Sequence, residues 1–184
     1  MTDNELKMIY EKIDTINDKQ LKKLVLKLIE ERNDLKKQVK IDTLTGVYNR
    51  RILSDINTFS SIVICDIDDF KNINDNYGHH MGDKVLKIVA QVLKNNSNNE
   101  IICRYGGDEF LVVFKKHPIK SALKQVEIIK NAMYVATKDL DFDITLSYGI
   151  SFNQGNSLED TIKEADEALY CSKSSGKDYI SYHK

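Results

Sequence analysis

Residues 101–114 read Ile-Ile-Cys-Arg-Tyr-Gly-Gly-Asp-Glu-Phe-Leu-Val-Val-Phe. Two short apolar runs, Ile101-Ile102-Cys103 and Phe110-Leu111-Val112-Val113-Phe114, flank the pair Gly106-Gly107. The pattern predicts a β-hairpin whose tight turn draws on the φ freedom of glycine. Asp108 and Glu109 follow at once. A bare backbone bend with acids beside it lets a phosphate come close while a metal ion neutralises the charge. The same residues also describe a surface hairpin with a solvated acidic turn, so the rest of the chain must decide.

Upstream, Ser61-Ile62-Val63-Ile64-Cys65 is apolar and β-branched, the mark of a central strand buried on both faces. It runs into Asp66-Ile67-Asp68-Asp69. Ligands of open α/β sheets bind beyond the C-terminal ends of strands. If this strand neighbours the hairpin, Asp66 and Asp108 converge, and two carboxylates with one backbone carbonyl suit Mg²⁺. Asp68 and Asp69 read as caps of a helix that carries Phe70 and Ile73 and stops at Gly78. Lys71 falls in that helix's first turn, where the helix dipole disfavours a cation, which hints at a phosphate nearby. A second helix, from about Gly82-Asp83, places Val85, Leu86, Val89, Val92 and Leu93 on one face. Asn74 can donate and accept at once, and Asp83 can accept two parallel hydrogen bonds, as the N1–H and N2–H of guanine would offer. Taken alone, a plain first-turn acid is the better account of Asp83.

Residues 3 to about 41 contain no Gly or Pro and carry a narrow apolar stripe: Leu6, Ile9, Ile13, Ile16, then Leu21, Leu24 or Val25, Leu28, Leu35 and Val39. Two helices broken near Asn17-Asp18 fit this spacing. Such helices need packing, either on their own domain or as a coiled coil with a second copy, and the spacing leaves both open. Asp42 or Thr45 is expected to cap a helix through Tyr48–Leu53. Pro118 opens a helix that places Ala122, Val126, Ile129 and Met133 inward. A strand is expected over 144–150, a helix over 158–172 with Ile162, Ala165, Leu169 and Tyr170 inward, and an edge strand over 178–182. The alternation predicts an α/β (α+β) sandwich, a mixed sheet of about five strands with helices on its faces. A helical segment, 1–41, precedes the domain, 42–184.

The chain has 184 residues and a formal net charge of −1, which gives no basic field for nucleic acid or an anionic membrane. Cys65, Cys103 and Cys171 are isolated, so buried free thiols in a reducing compartment are expected. No signal-peptide pattern opens the chain and no apolar run reaches membrane-spanning length, which predicts a cytoplasmic protein.

Arg104 to Phe110, together with Asp42-x-Leu44-Thr45-Gly46-x-x-Asn49-Arg50-Arg51, Asp66-Ile67-Asp68-x-Phe70-Lys71-x-Ile73-Asn74-Asp75-x-x-Gly78-His79-x-x-Gly82-Asp83, Ser147-Tyr148-Gly149-Ile150, Ala165-Asp166-x-Ala168-Leu169-Tyr170 and Lys173-x-x-Gly176-Lys177, resembles the GGDEF family of diguanylate cyclases. The resemblance runs from about residue 42 to the C-terminus. It implies a palm-like fold shared with nucleotidyl cyclases, and condensation of two GTP into cyclic di-GMP with release of two pyrophosphates. It implies that Asp66, Asp108 and the carbonyl of Ile67 hold Mg²⁺, or Mn²⁺ in its place. Asp108 would take the proton of the attacking 3′-hydroxyl, assisted by Glu109, and Lys71 would contact the phosphoryl group in flight. Asn74 and Asp83 would read guanine beside His79, while Lys173, Lys177 and backbone N–H groups near Phe70 would hold the β- and γ-phosphates. A homodimer follows from the chemistry, since each GTP attacks the other. About 40 helical residues leave no room for a sensor pocket, so an upstream regulatory protein is expected to supply the signal. The chain departs from the family at Ser97-Asn98-Asn99-Glu100, where an Arg-x-x-Asp product-inhibition motif is common, and at Lys177, where Arg is usual. Feedback inhibition through that motif is therefore not expected, and triphosphate binding is expected to be weaker. The alternative is a catalytically silent GGDEF module that binds GTP or serves as an interaction platform.

Overall fold

The computed structural model describes residues 3–97, 100–116 and 118–183, and their side chains except at 3–6, 10 and 36–38. The chain divides into two compact units between Lys40 and Ile41. The first holds α1 (Asp3–Asp14) and α2 (Lys19–Gln38). Asp18 caps α2, its carboxylate accepting from the N–H groups of Gln20 (2.8 Å) and Leu21 (3.1 Å). Lys22 pairs with Asp14 across the break at 2.8 Å. Leu21, Leu24, Leu28 and Leu35 of α2 are all exposed.

The second unit is one six-stranded sheet in the order β1-β3-β4-β2-β5-β6. Its strands are β1 (Tyr48–Asn49), β2 (Ser61–Ile67), β3 (Ile101–Arg104), β4 (Glu109–Phe114), β5 (Leu146–Phe152) and β6 (Ile180–Tyr182). The outer pairs β1–β3 and β5–β6 are parallel and the inner pairs antiparallel, which makes the sheet mixed. β2 is buried along its whole length between β4 and β5, as its apolar run predicts. Alternation then sorts side chains to two faces. Val63, Cys65, Phe110, Val112, Tyr148 and Ile150 meet α4 (His79–Asn96) and α5 (Ile119–Thr137) on one face. Ile62, Ile64, Leu111 and Val113 meet α6 (Leu158–Ser174) on the other.

Several local expectations give way. The two-residue β1 occupies the start of the helix expected from Tyr48, and a 3₁₀ helix, Arg50–Asp55, follows, capped by Asn49. Asp42 does not cap that helix: its carboxylate accepts from Thr45 N–H (2.9 Å) and Oγ1 (2.6 Å), closing the turn before β1. α4 starts at His79, three residues before Gly82, so Asp83 lies past the first turn. β5 runs two residues later than expected. Tyr170 faces outward, and Cys171 is exposed while Cys65 and Cys103 are buried. Asn98 and Asn99 lie outside the described residues.

α6 packs against bare backbone. A Cβ on Gly149 would overlap the carbonyl of Ala165 and the N–H of Leu169. Backbone cannot step aside as a side chain can, so Gly149→Ala should cost about 1–3 kcal/mol of stability, read from urea unfolding. An unchanged urea midpoint would show that α6 does not rest on the strand in this way.

Candidate functional site

The ladder between β2 and β4 sets Asp66 opposite Glu109. The turn between β3 and β4 brings Asp108 alongside, and Ile67 N–H donates to the Asp108 carbonyl at 3.3 Å. The turn itself is closed by N–H groups of Tyr105 (2.8 Å) and Gly106 (3.3 Å) donating to the Glu109 carbonyl. Neither turn glycine has a positive φ, contrary to the expectation; the positive-φ glycines among the described residues are Gly46, Gly78, Gly155 and Gly176. Their use is spatial. A Cβ on Gly106 would overlap the Glu109 carboxylate, and Gly107 faces open space.

Arg104 braces this turn. Its Nε (3.0 Å) and Nη2 (2.6 Å) both donate to the Gly107 carbonyl, while Nη1 reaches Asp42 at 3.4 Å. Burial pulls the Asp42 carboxyl upward, but hydrogen bonds from Thr45 and the charge of Arg104 outweigh it, and its pKa is lowered.

The acids of the turn are crowded. Burial pushes the Asp66 carboxyl above its ordinary range, Lys173 opposes this, and Asp108 and Asp68 add to it. Burial also raises Glu109, and the charges of Asp66 and Asp108 reinforce the shift. Lys173, from α6, places Nζ 2.9 Å from Asp66 and supplies the compensating charge. Among the described residues no three His, Cys, Asp or Glu side chains form a ready metal cage. Mg²⁺ needs none, because it takes one or two carboxylates and draws further ligands from water and substrate phosphate. An acid pair beside bare backbone fits that ion.

Asp69 holds a left-handed backbone (φ 54°) at the entry to α3 (Phe70–Tyr77) and makes no side-chain cap bond. The expected capping role fails because its carboxylate turns instead to Lys177 Nζ, at 2.7 Å. Asp68 does not cap either: it is buried and bonded to Thr145 and Ser147. Phe70 opens α3, with Lys71 exposed beside it, and His79 is exposed at the start of α4. Asn74 meets Gly82, where a Cβ would overlap its amide oxygen, so the missing side chain seats Asn74 against the residue before Asp83. Arg104, Asp42, Asp68 and Gly82 all shape the site beyond the residues singled out from sequence. For Arg104 and Gly82 the only sequence signal is membership in the quoted motifs, and for Asp42 and Asp68 the added signal, a helix cap, misassigns them. At the departed inhibition motif, Glu100 accepts from Lys115 N–H at 2.9 Å, and Asn98-Asn99 lie outside the described residues. A cleft of about 530 Å³ opens on the α6 face between Leu53, Ile162 and Asp166, and touches the acid group through Glu109.

The family model for the GGDEF domain of diguanylate cyclases matches residues 39–179. The chain belongs to the GGDEF family of diguanylate cyclases. It is 35% identical over 163 residues to the uncharacterised protein YtrP of Bacillus subtilis, covering 83% of this chain and 28% of that protein. It is 34% identical over 164 residues to the diguanylate cyclase DosC of Escherichia coli K12, covering 80% and 36% respectively. The chain thus spans about a third of the length of these curated relatives. The GGDEF domain of DgcB from Caulobacter crescentus, solved in complex with c-di-GMP, superposes with a TM-score of 0.72 at 28% identity, over 78% of this chain and 95% of that one. No helix among the described residues is long and apolar enough to cross a membrane.

The Asp42 carboxylate, held by Thr45 and then by Arg104, has a pH signature. A depressed folded pKa adds stability above the unfolded carboxylate value, and that part is lost as pH falls through the folded value. The stability advantage of the native chain over Asp42→Asn should therefore shrink below about pH 4. Urea midpoints across pH measure it, and a constant gap would exclude the bonds of the ionised carboxylate to Thr45 and Arg104 as its source.

Proposed function

We propose that this chain is an active diguanylate cyclase, condensing two GTP into cyclic di-GMP and two pyrophosphates. The observation that carries the reading is the convergence of Asp66, Asp108 and Glu109 at one sheet end, with Lys173 ion-paired to Asp66. Diguanylate cyclases of this family generally use Mg²⁺, and Asp66, Asp108 and the Ile67 carbonyl are the groups to hold it here, with Mn²⁺ a substitute. When bound, the ion neutralises charge on the α-phosphoryl oxygens and makes the 3′-hydroxyl more acidic.

The chain's own residues do the rest. Asn74 and Asp83 face the guanine edge, and His79 closes the same pocket. The start of Asp83 beyond the first turn of α4 removes the helix-dipole account of this acid. Lys173 leaves Asp66 and Lys177 leaves Asp69 to grip the β- and γ-phosphates. The N–H groups at Phe70, uncapped by Asp69, face the same anion. Asp108 accepts the 3′-hydroxyl proton as oxygen attacks the α-phosphorus and pyrophosphate departs with Lys71 beside the transferring group. Glu109 keeps the acid pair in place against Gly106.

One domain holds one GTP, so ring closure needs two domains face to face. We assign residues 42–184 to catalysis and 1–41 to pairing. Leu21, Leu28 and Leu35 repeat every seven residues on α2 with Leu24 between, and all are exposed. Pairing through this stripe raises the effective concentration of one half-site for the other, and an upstream protein acting on the stripe would regulate it. The cytoplasm, where GTP is available, is the proposed location.

Incubation with GTP and Mg²⁺, with products resolved by mass spectrometry, should yield cyclic di-GMP. Asp66→Ala should lower turnover at least about 100-fold, through loss of a charged ligand. GTP binding without product from the dimeric chain would favour the silent module instead. Separately, Leu24→Glu with Leu28→Glu should cut specific activity at dilute protein and restore it as concentration rises, with sedimentation showing a weaker dimer. An unchanged dimer would remove the stripe from the pairing surface.

A further inference from the structure

Asp68 takes no part in the mechanism above, yet it is among the most committed carboxylates in the chain. It is 7% exposed. Oδ2 accepts from Thr145 Oγ1 at 2.7 Å and from Asp178 N–H at 3.0 Å, and Oδ1 accepts from Ser147 Oγ at 2.7 Å. Its own N–H donates to the Thr145 carbonyl at 3.0 Å. One side chain thus joins three places: the end of β2, the start of β5 and the loop after α6.

That loop is unusual. Gly176, Lys177 and Asp178 have φ values of 109°, 65° and 46° in succession. Residues with side chains avoid this region and remain in it only when the surroundings hold them. The Asp68 carboxylate holds Asp178 through its N–H, and Lys130 of α5 holds it from outside, with Nζ 3.0 Å from its carboxylate. The left-handed run turns Lys177 back across the site to Asp69, itself left-handed. Asp68 is therefore the inner tie between the two strained turns, and the Lys177–Asp69 pair is the outer one. A helix-capping or purely structural role does not require the tie to end on the loop that carries Lys177.

We propose that Asp68, without touching substrate, is the positioning residue that fixes where Lys177 stands, and so sets how tightly the site grips the β- and γ-phosphates of a nucleoside triphosphate. This rests on the reading of Lys177 as a triphosphate contact. Position matters more here than at a site with the usual Arg. A lysine ammonium is a point charge without a second bond to correct its aim.

The test is calorimetric binding of a non-hydrolysable GTP analogue and of GMP, at fixed Mg²⁺, to the native chain, Asp68→Ala, Lys177→Ala and the double variant. Asp68→Ala should weaken the analogue about tenfold and GMP less than about twofold, as expected for losing one charged hydrogen-bond partner of the triphosphate. The double variant should bind no more weakly than the worse single variant, because both changes remove one contact. Thr145→Val, which removes a single donor to Asp68, should shift the analogue in the same direction by a smaller factor, and it serves if Asp68→Ala does not fold. Equal losses for analogue and GMP would make Asp68 a general structural residue and overturn the proposal. So would additive losses in the double variant, or a loss that disappears at saturating Mg²⁺. A native chain that binds no triphosphate would instead refute the cyclase reading itself, and the proposal with it. Weakening by Lys177→Ala but not by Asp68→Ala or Thr145→Val would refute only the positioning role.

Discussion

In the β2–β4 ladder Asp66 stands opposite Glu109, and in the β2–β5 ladder it stands opposite Ser147. Side chains alternate along a strand, so a slip of one residue would turn Asp66 to the α4–α5 face and bury it among Val89 and Val126. The apolar alternation of β2 forbids that slip, since Val63 and Cys65 fit one core and Ile62 and Ile64 the other. The packing of the sheet and the placement of the acids are thus one constraint. A register fixed by hydrophobic burial delivers three carboxylates to one edge, where burial raises Asp66 and Glu109 and the charge of Asp108 adds to both.

That crowding explains the posture of the two C-terminal lysines. Lys173 rests on Asp66 and Lys177 on Asp69, so two of the site's carboxylates are ion-paired within the chain. In the proposed reaction, triphosphate with its metal ion would have to displace both ion pairs, and the net gain in binding would be smaller than a count of contacts suggests. Lys173 reaches Asp66 from α6, which lies directly on Gly149 with no side chain between helix and strand. A glycine deep in the sheet thus seats the helix that brings a cation to its edge.

Local signals made much of this legible. The apolar run ending at Cys65, the paired runs around Gly106-Gly107 and the Asp18 break in the helical segment each lie within a few residues of their cause. Failures came where the cause is distant. Asp68 and Asp69 look like caps because Asp is a preferred cap. What claims them instead are Thr145, Ser147 and Asp178, which lie 77, 79 and 110 residues away, and Lys177 at 108. Tyr48 becomes a strand because Cys103 offers a sheet edge, which no window around Tyr48 contains. Gly106 leaves room beside Glu109 and neither turn glycine uses a positive φ, and sequence alone does not separate those two uses of glycine.

Lys177 shows how a substitution within a family can follow from this arrangement. Asp69 raises its pKa chiefly through their hydrogen bond and keeps it charged. An arginine at that position could fork onto the Asp69 carboxylate with two parallel bonds, and triphosphate would have to break both. A lysine makes one bond and rotates freely to a new acceptor. In the proposed reaction the same property would weaken its hold on pyrophosphate after the bond is made, and a cyclase that discharges two pyrophosphates for each product would gain in release part of what it loses in grip, provided the ammonium is aimed well at the outset. That condition falls on the left-handed loop and on the buried carboxylate that holds it.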